Sequence, residues 1–261
     1  MKLLVKIGGT LLDSEASRRR LAGEVTGVLR SGHRIVVVHG GGKQMTRFLD
    51  ERGIESRFID GLRVTTPEVL DGVLKVVAGS INHELVAAFV QAGARAVGLS
   101  GIDASLTEAE PMLHELGLVG RLVGFNPELL ELLTGHGYLP VVACLAGDRQ
   151  GRIYNVNADQ MAASCAVAFG AEQVLFLTDV EGVLGAGGQL LPLLTVRECE
   201  NLIRQRVATG GMLTKLNAAA EALREGVRQV AILSGSASQS IERLLAGQSL
   251  GSRIVKEQPH D

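Results

Sequence analysis

The sequence predicts one α/β domain built on a mainly parallel β-sheet with helices on both faces. Short apolar runs alternate with longer amphipathic stretches along almost all of the 261 residues, and this alternation is typical of βαβ units. The run at residues 35–38 has no polar residue at alternate positions, which indicates a strand buried on both faces. Glycines follow several of the runs, where a strand must turn towards a helix.

The composition limits the class of protein. Hydrophobic residues make up 46%, there are 33 glycines, and aromatic residues make up only 3%, so small and branched aliphatic side chains must build the core. The net charge of −2 provides no basic surface for nucleic acid. Cys144, Cys165 and Cys199 have no metal-ligand spacing and indicate buried thiols in a reducing compartment. The N-terminal apolar run is too short for a signal peptide or a membrane span, so we expect a cytoplasmic protein without a membrane partner.

The strand at residues 35–38 and the loop after it organise the chain. Four β-branched residues precede His39 and three consecutive glycines, and a helical pattern follows. Glycines at a strand-to-helix turn leave backbone N–H groups unobstructed, and such a turn binds anions, most often phosphate. A tight turn without a ligand needs only one glycine, so three of them favour an anion site.

Six other apolar runs predict strands, at residues 2–7, 96–99, 138–144, 173–177, 228–233 and 252–256. Residues 103–125 differ from these because they are turn-rich and alternating. They predict small antiparallel strands, mainly over residues 117–125, that project from the main sheet. Residues 147–151 predict a hairpin turn.

Capping residues mark several helices. Thr66 is a favourable N-cap with Pro67 at the first helical position, Asn157 caps another helix, and Thr195 with Glu198 forms a capping box. In the first half of the chain, helices are predicted at residues 14–29, from the triple glycine to about 52, and at 67–91. In the second half, they are predicted from Asn126-Pro127 to 137, at 157–169, after 195, at 210–223 and after 235.

The carboxyl ends of parallel strands meet at one edge of a sheet, and ligands bind outside that edge. The predicted strand ends carry small residues, glycines and a few charges, at residues 6–9, 39–42, 100–101, 178–179 and 234–235. We therefore predict the functional site at this edge.

Two standard phosphate motifs do not occur in the sequence. A G-x-x-x-x-G-K-[ST] loop would need glycine where Val37 stands, and no G-x-G-x-x-G opens a helix, so phosphate must be held in another way. His39-Gly40-Gly41-Gly42 also matches the oxyanion-hole tetrapeptide of esterases, which requires a G-x-S-x-G elbow. The segment 98–102 contains Ser100 but lacks the final glycine. An esterase is therefore the alternative from a second chemistry.

Four charged residues near these turns are candidates for binding or catalysis. Lys6 ends a strand beside two glycines; its head could simply reach water or could be a cation at a phosphate site. Lys215 lies early in a helix, where a solvated lysine is the simpler interpretation. Asp159 follows the cap Asn157 and could anchor lysines by opposite charge. Arg63 precedes a helix and could bind a carboxylate with its planar fork or form a surface ion pair.

Six motifs occur in an order that resembles the amino acid kinase family. They are Lys6-x-Gly-Gly, His39-Gly-Gly-Gly, Gly61-Leu-Arg-Val-Thr, Asn155-Val-Asn-Ala-Asp, Leu177-Thr-Asp-Val-x-Gly-Val and Gly210-Gly-Met-x-x-Lys215. The resemblance extends from about residue 2 to residue 255. The third and fourth motifs are similar to those of members that phosphorylate N-acetyl-L-glutamate rather than carbamate, aspartate or a nucleotide.

The resemblance implies a three-layer αβα sandwich. Its N-terminal lobe, about residues 1–170, would bind the acyl amino acid and form a homodimer, and its C-terminal lobe, about residues 171–261, would bind ATP. The implied reaction is phosphorylation of the side-chain carboxylate of N-acetyl-L-glutamate, the second step of arginine biosynthesis. The implied cofactors are ATP and the Mg²⁺ that it carries, with no protein metal site.

The resemblance also assigns roles to residues. Lys6 and Lys215 would stabilise the transition state from either side, and Asp159 would orient both. The implied substrate-binding residues are Gly41, Gly42, Arg63, Asn155 and Asn157. The implied phosphate- and ATP-binding residues are Gly8, Gly9, Thr178, Asp179, Val180, Glu181, Gly182, Val183, Val207, Ala208 and Thr209. Residues 103–125 would lie over the substrate as a lid.

Two further alternatives remain open at this point. Close relatives phosphorylate acyl-aminoadipate or another N-acylglutamate, and nothing in the sequence identifies the acyl pocket. A non-catalytic sensor of nucleotide or amino acid would be favoured if Lys6, Asp159 or Lys215 were missing, but all three are present.

Arginine-inhibited members of the family carry an extra helix before the first strand, and here Lys6 lies close to the first residue. We therefore expect a homodimer, paired through the helix at residues 67–91, without feedback by arginine. Titration of arginine into an activity assay tests this expectation. Inhibition at physiological arginine levels would contradict it.

Overall fold

A computed structural model describes residues 1–257. The strands are β1 Lys2–Ile7, β2 Arg34–His39, β3 Phe58–Ile59, β4 Leu62–Arg63, β5 Arg95–Ser100, β6 Thr107–Pro111, β7 Gly120–Phe125, β8 Tyr138–Ala143, β9 Leu145–Gly147, β10 Ile153–Asn155, β11 Gln173–Thr178, β12 Leu193–Thr195, β13 Gln229–Ser234 and β14 Ser252–Val255. The α-helices are α1 Glu15–Arg30, α2 Gly42–Asp50, α3 Pro67–Val73, α4 Asn82–Gln91, α5 Glu128–Gly135, α6 Ala158–Phe169, α7 Val196–Arg204, α8 Gly210–Arg224 and α9 Ser240–Leu245.

The main sheet has eight strands in the order β12-β14-β13-β11-β1-β2-β8-β5, with helices on both sides. The five strands around β1, from β13 to β8, run parallel to one another, so the prediction of a mainly parallel αβα sandwich is confirmed. Lys6 lies opposite Val38 of β2 and Phe176 of β11. The carboxyl ends of these three strands therefore meet side by side at one edge.

The strand β14 runs antiparallel to β13, although the connection between them contains a helix. That helix, α9, has only 6 residues and spans about 9 Å. The helix is therefore much shorter than β13, a strand of six residues that spans about 20 Å. The chain pairs with β13 on its way back.

A smaller sheet in the order β10-β9-β6-β7 projects beside the main one. Strands β6 and β7 are antiparallel, as predicted for residues 103–125, and residues 147–151 form the turn between β9 and β10. The structure adds two features that the sequence did not indicate. The hairpin β3–β4 lies within residues 58–63, and the short strand β12 precedes α7. Strands of two or three residues show no hydrophobic period, which explains the omission.

Residues 67–91 form one long helix, as predicted, but its middle is π-helical. Thr66 accepts a hydrogen bond from the N–H of Val69 and Pro67 follows at the first position. A π-helix over Leu74–Ile81 then joins α3 to α4; this segment leaves no signal in the side-chain pattern. The 25 residues Pro67–Gln91 are long and apolar enough to cross a membrane, as core helices can also be, and here α4 packs against α1 and β5.

The core consists mainly of aliphatic side chains, as the composition indicates, and Tyr154, Phe89, Phe169 and Phe176 are its buried aromatic residues. Helix α6 packs across β1 and against α8, so it links the central strand to α8. The three cysteines are free and buried. Burial raises the pKa of Cys144 to about 11 and that of Cys199 to about 12, which agrees with the interpretation of these residues as buried thiols.

The capping box at the start of α7 gives a test of local stability. Thr195 Oγ1 accepts a hydrogen bond from the N–H of Glu198 at 3.2 Å, and Glu198 Oε2 accepts one from the N–H of Thr195 at 2.7 Å. We expect Thr195→Ala to lower the free energy of unfolding by about 1 kcal/mol, measured by urea denaturation. Thr195→Ser retains the acceptor and serves as the control; equal losses in both variants would show that the cap does not stabilise α7.

Candidate active site

A cleft of about 880 Å³ opens beside the carboxyl ends of β1, β2 and β11. This is the edge that the sequence predicted. Of the residues predicted for the site, those that line the cleft are Lys6, Gly8, Gly9, Gly41, Gly42, Arg63, Asn155, Asn157, Asp159, Thr178, Asp179 and Lys215.

Two lysines from distant parts of the chain meet at one buried carboxylate. Lys6 Nζ at the end of β1 lies 2.7 Å from Asp159 Oδ1, and Lys215 Nζ on α8 lies 3.4 Å from Asp159 Oδ2. The three side chains are only 6%, 12% and 5% exposed in the order Lys6, Lys215 and Asp159. The structure therefore brings together the three residues that the resemblance singled out as catalytic.

The centre carries a net positive charge. Burial by itself would raise the pKa of Asp159, but the charges of Lys6 and Lys215 together with the hydrogen bonds that Lys6 and Thr214 supply hold that pKa below its ordinary value. Burial and the nearby charge of Lys6 lower the pKa of Lys215, against the attraction of Asp159. One carboxylate thus faces two cations in a site with little water. Such a centre favours a polyanionic ligand, because a further negative charge would relieve the repulsion between the lysines.

Backbone N–H groups lie beside the lysine centre. Helix α2 begins at Gly42, and the N–H groups of its first turn have no acceptor within the helix. The turn after β1 approaches this helix end closely, since a Cβ atom on Gly9 would lie 3.4 Å from Gly42 N. A Cβ atom on Gly41 would lie 2.4 Å from Ile81 Cδ1, so any other residue here would have to displace the Ile81 side chain of the long helix. Helix N-termini of this kind bind phosphate.

Arg63 lies beside the same loop and is held in place by neutral partners. Its guanidinium donates to Gly42 O at 3.0 Å and to Thr46 Oγ1 at 2.7 Å. It also donates to Ser56 Oγ at 2.7 Å and lies over the ring of Phe58. Its charge is therefore not neutralised by a carboxylate in these contacts, and it remains available to an anionic ligand in the cleft.

The two asparagines have different surroundings. Asn155 donates to Thr65 Oγ1 at 3.0 Å, which fixes its side chain at the cleft wall. Asn157 caps α6, since its Oδ1 accepts from the N–H groups of Asp159 at 2.9 Å and Gln160 at 3.2 Å. The capping role expected from the sequence is therefore present. It places Asp159 in the first turn of α6, where its carboxylate can reach both lysines.

The residues expected to bind ATP divide into two groups. Gly8, Gly9, Thr178 at the end of β11 and Asp179 after it line the cleft, but the other predicted residues do not: Val180, Glu181, Gly182, Val183, Val207, Ala208 and Thr209. Val183 and Ala208 are buried, and a Cβ atom on Gly182 would lie 2.6 Å from Ser252 Oγ. Residues 180–183 follow β11, and residues 207–209 precede α8. In the sheet, β11 lies between β1 and β13.

Sequence analysis missed Thr214, which completes the surroundings of Asp159. Its Oγ1 donates to Asp159 Oδ2 at 2.8 Å. The available signal was its position directly before Lys215, in the first turns of the same helix. Side chains there point back towards the helix N-terminus and hence towards the cleft.

The esterase alternative lacks its catalytic pair. Ser100 lies at the end of the edge strand β5 and donates to Asp103 Oδ2 at 2.8 Å rather than to a histidine. His39 is fully buried and contacts Asn82. The described part of the chain therefore contains no nucleophile–base pair at the tetrapeptide. Within residues 1–257, no group of three or more His, Cys, Asp or Glu residues could hold a metal ion.

Comparisons with known proteins give a consistent result. The profile of the amino acid kinase family matches residues 1–234. The chain is 60% identical to an acetylglutamate kinase of Solibacter usitatus over 255 residues, which cover 98% of this chain and 99% of the relative. It is 42% identical to an acetylglutamate kinase of Acidobacterium capsulatum over 246 residues, which cover 94% and 95%.

A solved structure agrees in fold. The N-acetylglutamate synthase of Neisseria gonorrhoeae, in complex with coenzyme A and N-acetyl-glutamate, superimposes with a TM-score of 0.88 at 25% identity. The match covers 99% of this chain and 60% of that chain.

The buried carboxylate allows a prediction about stability. Asp159→Asn leaves two buried ammonium groups without a counter-charge, and we expect the free energy of unfolding to fall by about 3–5 kcal/mol at neutral pH. The pKa of Asp159 in the folded protein lies below its ordinary value of 3.8. The contribution of Asp159 to the free energy of unfolding is therefore complete above pH 3.8. It is lost as the pH falls through the lower pKa of the folded state.

Urea denaturation at a series of pH values measures this difference. The difference in the free energy of unfolding between wild type and Asp159→Asn should be largest at neutral pH and should decrease only in acid. Glu200→Gln, which removes a surface ion pair with Arg224, is the control and should change stability by no more than about 1 kcal/mol. A loss in Asp159→Asn as small as the control would show that the carboxylate does not hold the lysines.

Proposed function

Because the chain belongs to the amino acid kinase family, we propose that it transfers the γ-phosphoryl group of ATP to the side-chain carboxylate of N-acetyl-L-glutamate. The product is N-acetyl-L-glutamyl 5-phosphate, and the reaction is the second step of arginine biosynthesis. The observation that carries this conclusion is the convergence of Lys6 and Lys215 on Asp159 beside the free N–H groups of α2. The high identity to acetylglutamate kinases supports it.

The chemistry requires charge stabilisation and alignment. A carboxylate is ionised at neutral pH and is already a nucleophile, so the transfer needs no general base. The barrier depends on charge at the equatorial oxygens of the migrating phosphoryl group and on the in-line arrangement of donor and acceptor. Lys6 on β1 and Lys215 on α8 approach from different elements, and we assign to them the stabilisation of that charge from two sides.

The acceptor lies on the N-terminal side of this centre in our proposal. Arg63 and Asn155 would bind the α-carboxylate side of the substrate, with Asn157 at the same wall. The N–H groups of Gly41 and Gly42 would bind the substrate and the transferring phosphoryl group. Support comes from the position of these residues around one cleft and from the guanidinium of Arg63, whose contacts are with neutral groups.

ATP lies on the other side in the same proposal. Gly8 and Gly9 would contact its phosphates. Residues 178–183 and 207–209 would line the remainder of the nucleotide site, so that residues 1–170 form the acceptor lobe and residues 171–261 form the nucleotide lobe. The carboxylate of Asp179 lies at the cleft and could contact Mg²⁺ that arrives on the phosphates. When bound, Mg²⁺ would neutralise charge on the nucleotide.

We also propose a cytoplasmic homodimer. Support for pairing through residues 67–91 comes from apolar surface that this helix leaves accessible. Val90 is 54% exposed, and Leu70, Leu74 and Val86, which pack against the core, are only half-buried. Residues 103–125 would cover the acceptor, since Val119 lines the cleft and pairs with Asn155.

A hydroxamate assay for acyl phosphate tests the reaction directly. With ATP and Mg²⁺, we expect product from N-acetyl-L-glutamate in preference to the N-succinyl compound and to N-acetyl-aminoadipate. If only one of the other acyl amino acids gave acyl phosphate, that compound and not N-acetyl-L-glutamate would be the substrate. A complete lack of acyl phosphate with the whole panel would overturn it.

Two variants test the roles of the lysines in the same assay. Lys6→Ala and Lys215→Ala should each lower kcat by about 10²–10³-fold, because each removes a group that stabilises charge in the transition state. The affinity for ATP should change much less. Lys256→Ala, which removes an exposed lysine near the end of the described chain, is the control. Near-normal kcat in both active-site variants would refute these roles.

A further inference from the structure

A buried polar network joins the long helix to the glycine loop. His39 is fully buried. Its Nδ1 lies 2.9 Å from Gly40 O, and its Nε2 lies 2.9 Å from Asn82 Nδ2. Asn82 is the first residue of α4 and is only 4% exposed. Neither residue lines the cleft, yet His39 directly precedes the three glycines that do.

The partners determine which nitrogen of His39 carries the proton. Val141 O, a carbonyl that can only accept, lies 2.9 Å from Asn82 Nδ2, so the amide nitrogen of Asn82 must face this side. An amide nitrogen only donates, and Nε2 of His39 must therefore accept. The proton lies on Nδ1, which donates to Gly40 O. Burial lowers the pKa of His39 to about 4, so the ring is neutral at physiological pH.

The hydrogen bond to Gly40 O orients the next N–H group. Residues 1–257 contain no cis peptide bond, and in a trans peptide the C=O and N–H groups point in opposite directions. Gly40 O points towards the buried imidazole, so the N–H of Gly41 in the same peptide points away from it. Within the described residues this N–H group has no acceptor, and Gly41 lines the cleft.

The π-helix places two neighbouring residues against this loop. Ile81 ends the π-helical segment and limits Gly41 from one side, as its Cδ1 lies 2.4 Å from the position of a Cβ atom there. Asn82 follows and reaches His39. A Cβ atom on Gly98 of β5 would lie 2.1 Å from Asn82 Oδ1, so the sheet leaves space for this amide only because residue 98 is glycine. π-Helical segments frequently occur at functional sites.

We propose that Asn82 and His39 are positioning residues for phosphoryl transfer: Asn82 selects the Nδ1–H tautomer of His39, and His39 then directs the N–H of Gly41 into the cleft. This inference rests on the proposed function, because the group that Gly41 binds is the transferring phosphoryl or its acceptor. The side chains of Asn82 and His39 orient the N–H group of Gly41 and do not themselves contact the ligand. Its loss should therefore lower kcat more than it weakens the binding of ATP.

The tautomer can be measured without any activity. In ¹⁵N-labelled wild-type protein at neutral pH, we expect one imidazole with a protonated Nδ1 and an unprotonated Nε2 that accepts a hydrogen bond. The signal of this imidazole should be absent from the spectrum of His39→Gln, and this absence assigns the signal to His39. A protonated Nε2 in the wild-type ring would overturn the proposal, whatever the kinetics show.

Two substitutions of Asn82 separate positioning from packing. Asn82→Ala removes the donor but leaves the Nδ1–H tautomer possible, and kcat should fall about tenfold to a hundredfold with the KM for ATP nearly unchanged. Asn82→Asp is close in shape to asparagine but only accepts hydrogen bonds, so it requires a proton on Nε2 of His39. It should lower kcat further and should change the imidazole spectrum.

The control is Thr134→Val. Thr134 is buried and hydrogen-bonded to Leu130 O and Arg34, far from the loop in the chain, so its loss should reduce thermal stability without reducing kcat. If Asn82→Asp keeps the kcat of wild type, or if kcat falls only in proportion to stability as in the control, the positioning role is wrong. A wild-type protein that forms no acyl phosphate would instead refute the proposed function, and the spectrum would still test the network.

Discussion

The attraction between one buried carboxylate and two buried ammonium groups is the interaction on which the site depends. Moving each of these ions out of water costs several kcal/mol, and the two lysines also repel each other. Asp159 offsets both effects at distances of 2.7 and 3.4 Å. Its own position is fixed by the cap at Asn157 and by Thr214. The carboxylate therefore has a structural and an electrostatic function at once, because it attracts two cations to one place where little water reaches them.

The topology of the sheet provides the second part of the site. Strands β1, β2 and β11 are adjacent and parallel, so Lys6, the glycine loop and Thr178 lie together although they are far apart in the chain. Helix α6 packs across β1 and against α8, which brings Asp159 and Lys215 to the same edge. Charged side chains and backbone N–H groups are thus combined at one place. An anion there is bound by both without reorganisation of the protein.

Much of the fold could be predicted because its signals are local. Thr66, Asn157 and Thr195 cap helices where they were expected to do so, since a cap depends only on residues within one helical turn. The features that escaped prediction have no local signal. The π-helix at Leu74–Ile81 differs from an α-helix in hydrogen bonding rather than in side-chain pattern. The antiparallel direction of β14 depends on how residues 252–255 meet β13 in space.

The sequence by itself determined the class of the fold, the edge of the sheet at which the site lies, and the residues able to carry charge or expose backbone there. These properties follow from hydrophobic periodicity, the positions of glycines and residue type, all of which can be read from residues that are close together in the sequence. Only the tertiary structure decided that Lys6 and Lys215 share Asp159, that Thr214 joins them, and that His39 is buried against Asn82 instead of facing the cleft. These contacts join residues between 43 and 153 positions apart or depend on burial. Proximity in space and exclusion of water arise only when the strands and helices pack.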